Sequence, residues 1–174
     1  MTDVVMQREF DHALDKEEFY AMARDAMGCL DIYRADWNES FMASDGSKLL
    51  CRFQAPDSEA IRSLSRGDGA SDKKVWSGEV HDASEGAVSV VVERTFDEAV
   101  DLADIQAMED AVSWCLEQHR VEFVRSLFSN DNKRMLCLYR APDAESVRRT
   151  QEQGGLPFDS IWACVHFTPE NMFQ

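Results

Sequence analysis

The chain is written twice. Lys48–Gly69, KLLCRFQAPDSEAIRSLSRGDG, returns within Lys133–Pro157, KRMLCLYRAPDAESVRRTQEQGGLP. Leu50-Cys51 matches Leu136-Cys137, and Ala55-Pro56-Asp57 matches Ala141-Pro142-Asp143. The register continues upstream without a gap: Val90-Val91 repeats Val4-Val5, Arg94 repeats Arg8, and Phe96-Asp97 repeats Phe10-Asp11. Cys115-Leu116 repeats Cys29-Leu30, and Trp162 repeats Trp76. Similarity at one fixed period marks a duplicated structural unit. The spacing predicts a first repeat over 1–82, a short polar linker around HDASEG, a second repeat over 87–168 and a tail over 169–174.

Each copy reads β-α-β-β-α-β. Val4–Phe10 alternates with a period of two, as a strand does. Asp15 with Glu18 forms a capping-box pattern ahead of Phe19, Met22, Ala23, Ala26 and Met27 at helical spacing. A second strand is expected over roughly Leu30–Met42, turning at Ser44-Asp45-Gly46-Ser47 into a third over Lys48–Gln54. Pro56 breaks that strand and opens a short helix, and Gly67-Asp68-Gly69 stops it. Val75–Val80 is the fourth strand.

This order is that of the ferredoxin-like split βαβ, an antiparallel sheet with both helices on one face. Val5, Leu50, Leu136 and Leu138 lie opposite Val4, Met6, Cys51 and Cys137, so the strands carry apolar residues on both faces, as doubly covered strands do. The expected fold class is α+β: two tandem ferredoxin-like domains packed sheet to sheet as a pseudo-dimeric α+β barrel. A monomer built as an intrachain pseudo-dimer follows, with a higher oligomer left open.

Composition excludes some functions. A formal net charge of −15 is wrong for binding nucleic acid phosphates or an anionic membrane. MTDVVMQREFDH has no basic stretch followed by an apolar run, so no signal peptide is expected and the protein is expected to be cytoplasmic. The cysteines, Cys29, Cys51, Cys115, Cys137 and Cys164, are odd in number and form no C-x-x-C pair, which predicts reduced, buried thiols.

LCLYRAPD and the following QGGLPFDSIW, with the Glu-Arg pair of Val90–Arg94 and Arg125-Ser126, resemble the DUF4242, or nickel-binding-protein-like, family. The first copy shares Arg8, Leu50-Cys51 and Ala55-Pro56. The resemblance implies a ferredoxin-like fold, paired domains and, in the named member, a nickel site with histidines on the strands and second helix. Those donors do not carry over. Gln7 and Glu93 stand at the first-strand histidine position, TQEQGG has no histidine, and the family's usual acid before Ala-Pro is replaced by Gln54 in one copy and Arg140 in the other. No metal and no cofactor are expected.

His12, His81, His119 and His166 form no H-x-H, H-x-x-x-H or H-E-x-x-H motif. Cys51 and Cys137 occupy equivalent strand positions with no sequence-adjacent histidine, and packing accounts for them. Arg8 and Arg94 recur at the first strand's end, where a guanidinium serves either as a structural ion pair or as an anion clamp. Where the first copy has Gln7, Gln54 and Tyr33, the second has Glu93, Arg140 and His119. These six are the expected ligand-binding residues, facing a cavity between the repeats and biased toward the second. The expected function is a non-catalytic module binding a small-molecule ligand there, or an interaction module. The alternatives are a cofactor-independent oxygenase or isomerase, with Glu93, His119 or Glu122 as base, and a nickel or other transition-metal binder.

Overall fold

The computed structural model describes residues 1–172. It is an α+β structure of two ferredoxin-like repeats, in two units: Met1–Gly78 with the residues from Val165 onward, and Glu79–Cys164. The elements in chain order are β1 (Thr2–Glu9), α1 (Lys16–Met27), β2 (Asp36–Ala43), β3 (Lys48–Ala55), α2 (Ser58–Leu64) and β4 (Asp72–Asp82). Then come β5 (Val90–Thr95), α3 (Leu102–Ala111), α4 (Ser113–Gln118), β6 (Glu122–Ser129), β7 (Arg134–Arg140), α5 (Ala144–Gly154) and β8 (Ser160–Phe167).

In the first unit β1 lies between β3 and β4, and β2 pairs with the far edge of β3, all antiparallel. The second unit repeats this with β5 between β7 and β8 and β6 outside β7. Period-two alternation puts Val4, Met6, Cys51 and Phe53 into one core with Phe19 of α1 and Ile61 of α2. Val90, Val92, Cys137 and Tyr139 meet Ile105 and Val147 in the other. Val5, Leu50, Leu136 and Leu138 on the opposite strand faces are buried too.

Local chemistry sets the ends. Asp15 and Glu18 exchange the two hydrogen bonds of the capping box. Asp57 and Asp143, each after its Ala-Pro, cap α2 and α5. Gly46 turns the β2–β3 hairpin with φ 76°, and a Cβ there would lie 2.4 Å from the Leu14 carbonyl oxygen. Gly155 ends α5 in the left-handed region.

The second strand starts later than its sequence suggests. Leu30–Ala35 is a turn in which the Ala35 amide donates to the Leu30 carbonyl at 2.9 Å, and Arg34 has φ 55°. Val121 and Leu116 close the same turn around Arg120 (φ 58°). This left-handed helix ending usually takes glycine. Arginine holds the position in both copies, so the glycine cue is missing. Residues 169–172, expected as a tail, include Met172, buried in the first unit's core.

Candidate functional site

The first unit contains a cavity of about 390 Å³ between its helices and sheet. Arg8 reaches it from the end of β1, on the same face as Val4 and Met6, and is 8% exposed. Arg8 Nη1 donates to Asp68 Oδ2 at 2.8 Å, and Nη2 donates to Cys51 Sγ at 3.4 Å. Its Nε is buried without a hydrogen-bond partner. Asp68, in the Gly67–Gly69 loop after α2, also takes Lys73 Nζ at 3.0 Å. Two cations therefore share one carboxylate. Burial pushes the Asp68 carboxyl up, but hydrogen bonds from Arg8, Lys73 and the Ala70 amide outweigh it and hold the pKa below its ordinary value.

A second polar chain runs along the sheet. The Trp37 indole donates to Ser40 Oγ at 2.9 Å, and Ser40 Oγ donates to Cys51 Sγ at 3.0 Å. Cys51 thus accepts from a hydroxyl and a guanidinium on the cavity wall. Much of the remaining wall is apolar, with Met22, Met27, Phe53 and Leu64. An apolar pocket with a few convergent polar groups is the usual form of a small-molecule site.

In the second unit a void of about 10 Å³ lies beside Arg94, and Cys137 and Gln151, which match Cys51 and Ser65 of the cavity wall, are fully buried. Arg94 Nη1 donates to the Pro157 carbonyl at 2.6 Å and Nη2 to Gln151 Oε1 at 2.5 Å. Cys137 Sγ donates to Glu109 Oε1 at 3.5 Å. Burial pushes the Cys137 thiol up to about 11, against the opposing effect of Arg94, so it stays protonated at neutral pH. Val112 Cγ1 lies 2.5 Å from where a Cβ on Gly154 would be, so only glycine fits beside it.

The six residues expected to bind ligand do not line the first-unit cavity. Gln7 accepts the Trp76 indole N–H at 2.7 Å. Glu93, its counterpart, accepts the Trp162 indole at 3.2 Å and the Ser160 hydroxyl. Gln54 donates to Asp3 at 2.6 Å. Tyr33 sits in the turn before β2. Arg140 bonds Glu122 Oε2 at 2.5 Å and not Glu93, which stands opposite Leu136, four residues back along β7. His119 caps the end of α4 rather than lying on a strand, and bonds Gln153 at 2.9 Å.

The cavity depends on residues that carry no motif: Ala23 where the second copy has Glu109, and Ser65 where it has Gln151. The signal was present in the ungapped repeat as small-for-large exchanges beside the recurring Arg and Cys. Recognising it needs the face on which each side chain lies.

The sequence model of one family, described as nickel responsive protein SCO4226-like, matches residues 5–77 and 91–164. It covers both repeats and does not carry the DUF4242 name. Among curated proteins no match is found. The chain is similar in structure to chlorite dismutase from Candidatus Nitrospira defluvii in complex with imidazole (10% identity, TM-score 0.57, 98% of this chain and 93% of that one). It is also similar to a putative chlorite dismutase (8%, 0.54, 99% and 98%) and to a heme-binding protein from Thermus thermophilus (10%, 0.50, 99% and 93%). At such identities the likeness shows the fold alone. Among the described residues no three His, Cys, Asp or Glu side chains converge to hold a metal ion. Cys51 also has the Arg8 guanidinium at 3.4 Å, which disfavours a second cation there. The described residues do not fit a nickel ion.

Proposed function

The chain belongs to the SCO4226-like nickel responsive protein family, and we propose that it is a non-catalytic small-molecule-binding protein whose ligand occupies the first-unit pocket. The carrying observation is a cavity of about 390 Å³ with a largely apolar wall that carries the buried Arg8 guanidinium. The apolar wall adds about 0.8 kcal/mol for each ligand methylene it buries. Methionines at the wall adapt to ligand shape. Among the described residues no metal-donor cluster is found, and the largely apolar wall suits an organic ligand.

The test is a thermal-shift screen of small amphipathic molecules against the full chain and an Ala23→Leu variant. Leucine fills part of the cavity, and cavity filling typically adds about 0.5–2 kcal/mol. The variant is expected to melt a few degrees higher and to lose every stabilisation seen with the parent chain. Hits that survive the substitution would place the ligand elsewhere and defeat the reading.

A further inference from the structure

The repeats differ chemically at the one place the ligand would occupy. Four pairs of positions stand at the same separation: Arg8 and Arg94, Cys51 and Cys137, Ala23 and Glu109, Ser65 and Gln151. The Arg and Cys are kept in both copies. The other two pairs are small in the first copy and long and polar in the second. In the second unit the long residues complete the set: Glu109 takes the Cys137 thiol hydrogen bond and Gln151 takes Arg94 Nη2. The Glu109 carboxylate also lies close enough to Arg94 for their charges to interact. In the first unit Ala23 ends at Cβ, so no side chain from that position reaches the Arg and Cys pair, and the cavity opens instead.

We infer that the ligand is a monocarboxylate with an apolar body, and that its carboxylate takes the place beside Arg8 and Cys51 that the Glu109 carboxylate takes beside Arg94 and Cys137. The inference rests on the pocket reading above. It adds the ligand's chemical class and the position of its head group. On this view the second unit is permanently occupied by its own glutamate.

Charge supports a single negative group. Arg8 and Lys73 face one carboxylate, Asp68, which leaves one positive charge over. In the second unit Arg94 is balanced by Glu109, and the positions matching Asp68 and Lys73 are Gly154 and Asp159. At the rim, Asp25 and Arg66 are exposed and of opposite sign. A guanidinium suits a carboxylate because its fork offers several donors in one plane, and Arg8 Nη1 and Nη2 each carry a second N–H beyond those given to Asp68 and Cys51.

The experiment uses octanoate and octanamide, which share a chain and differ in head-group charge. Binding to the full chain is followed by calorimetry and by the fluorescence of Trp37, which lines the pocket. Octanoate is expected to bind at least tenfold tighter than octanamide. An Ala23→Glu variant, which rebuilds the second unit's arrangement in the first, is expected to lose octanoate at least tenfold. A Glu109→Ala variant lacks the atoms of one acetate, and acetate is expected to raise its melting temperature but not that of the parent chain. Equal binding of octanoate and octanamide overturns the carboxylate assignment and leaves the pocket reading standing. Binding of neither overturns it as well, and the Ala23→Leu screen then decides whether the pocket reading falls too. Octanoate binding unchanged by Ala23→Glu places the head group elsewhere and also overturns it.

Discussion

Asp68 is the residue on which the first unit's polar cluster turns. It is the shared partner of Arg8 and Lys73 and is largely buried. Its pKa lies below the ordinary 3.8 because those hydrogen bonds outweigh the effect of burial. A carboxyl depressed in the folded state contributes stability above its unfolded pKa, and the contribution is lost as pH falls through the folded value. Asp68→Asn is therefore expected to melt lower than the parent chain at about pH 7, and the difference is expected to shrink between about pH 4 and pH 2. Melting curves of both proteins over that range check it; a gap independent of pH would exclude the ionised Asp68 as its source. The recurrence of Arg8 and Arg94 was legible in the sequence, with an ion pair and an anion clamp as the two readings. Arg8 does make the ion pair, and its guanidinium also lies on the cavity wall. The sequence could not separate the two readings, because Asp68 has no counterpart carboxylate in the second copy, where Gly154 stands.

At the scale of elements, the two copies show how one pattern gives unequal structures. Asp15 and Asp101 are repeat-equivalent N-caps, and only Asp15 makes its side-chain bond. The partner position explains part of this. Glu18 reaches back to the Asp15 amide, whereas its counterpart Asp104 is one methylene shorter. Asp15→Ala is expected to cost about 1 kcal/mol, the usual value of a lost N-cap bond, and Asp101→Ala less than half of that. Denaturant midpoints of the two variants test this, and equal losses would show that the Asp15 cap bond carries no weight in solution. Helices, hairpins and Ala-Pro breaks were legible because their signals are local. The start of the second strand was not, since Arg34 and Arg120 adopt a left-handed conformation with no glycine to announce it. Tyr33 and His119 accordingly lie in the turns before β2 and β6 and not on those strands.

For the whole molecule, the duplication was the most legible feature, and the chain's end was the least. Phe167 and Met172 have no apolar counterparts at matching positions of the first repeat, so the repeat pattern gave no reason to place them in a core. Both are buried in the first unit. Phe167 stacks on Phe19 with ring centroids 4.3 Å apart. His166 stacks on Phe41 and bonds Glu39, a carboxylate buried to 3% exposure that also takes Arg52. The first unit is thus completed by residues that follow the second in sequence. Losing a buried phenylalanine side chain typically costs about 3–5 kcal/mol, and losing His166 takes a hydrogen-bond partner from the buried Glu39, which adds to that. Domain stabilities are about 5–15 kcal/mol in all. Residues 1–82 expressed alone are therefore expected to show no cooperative thermal transition, and the full chain with Phe167→Ala to lose about 3 kcal/mol while still melting cooperatively. Circular dichroism melts distinguish the cases. A sharp transition of the 1–82 fragment near the melting temperature of the full chain would mean that the first unit does not need the residues from Val165 onward.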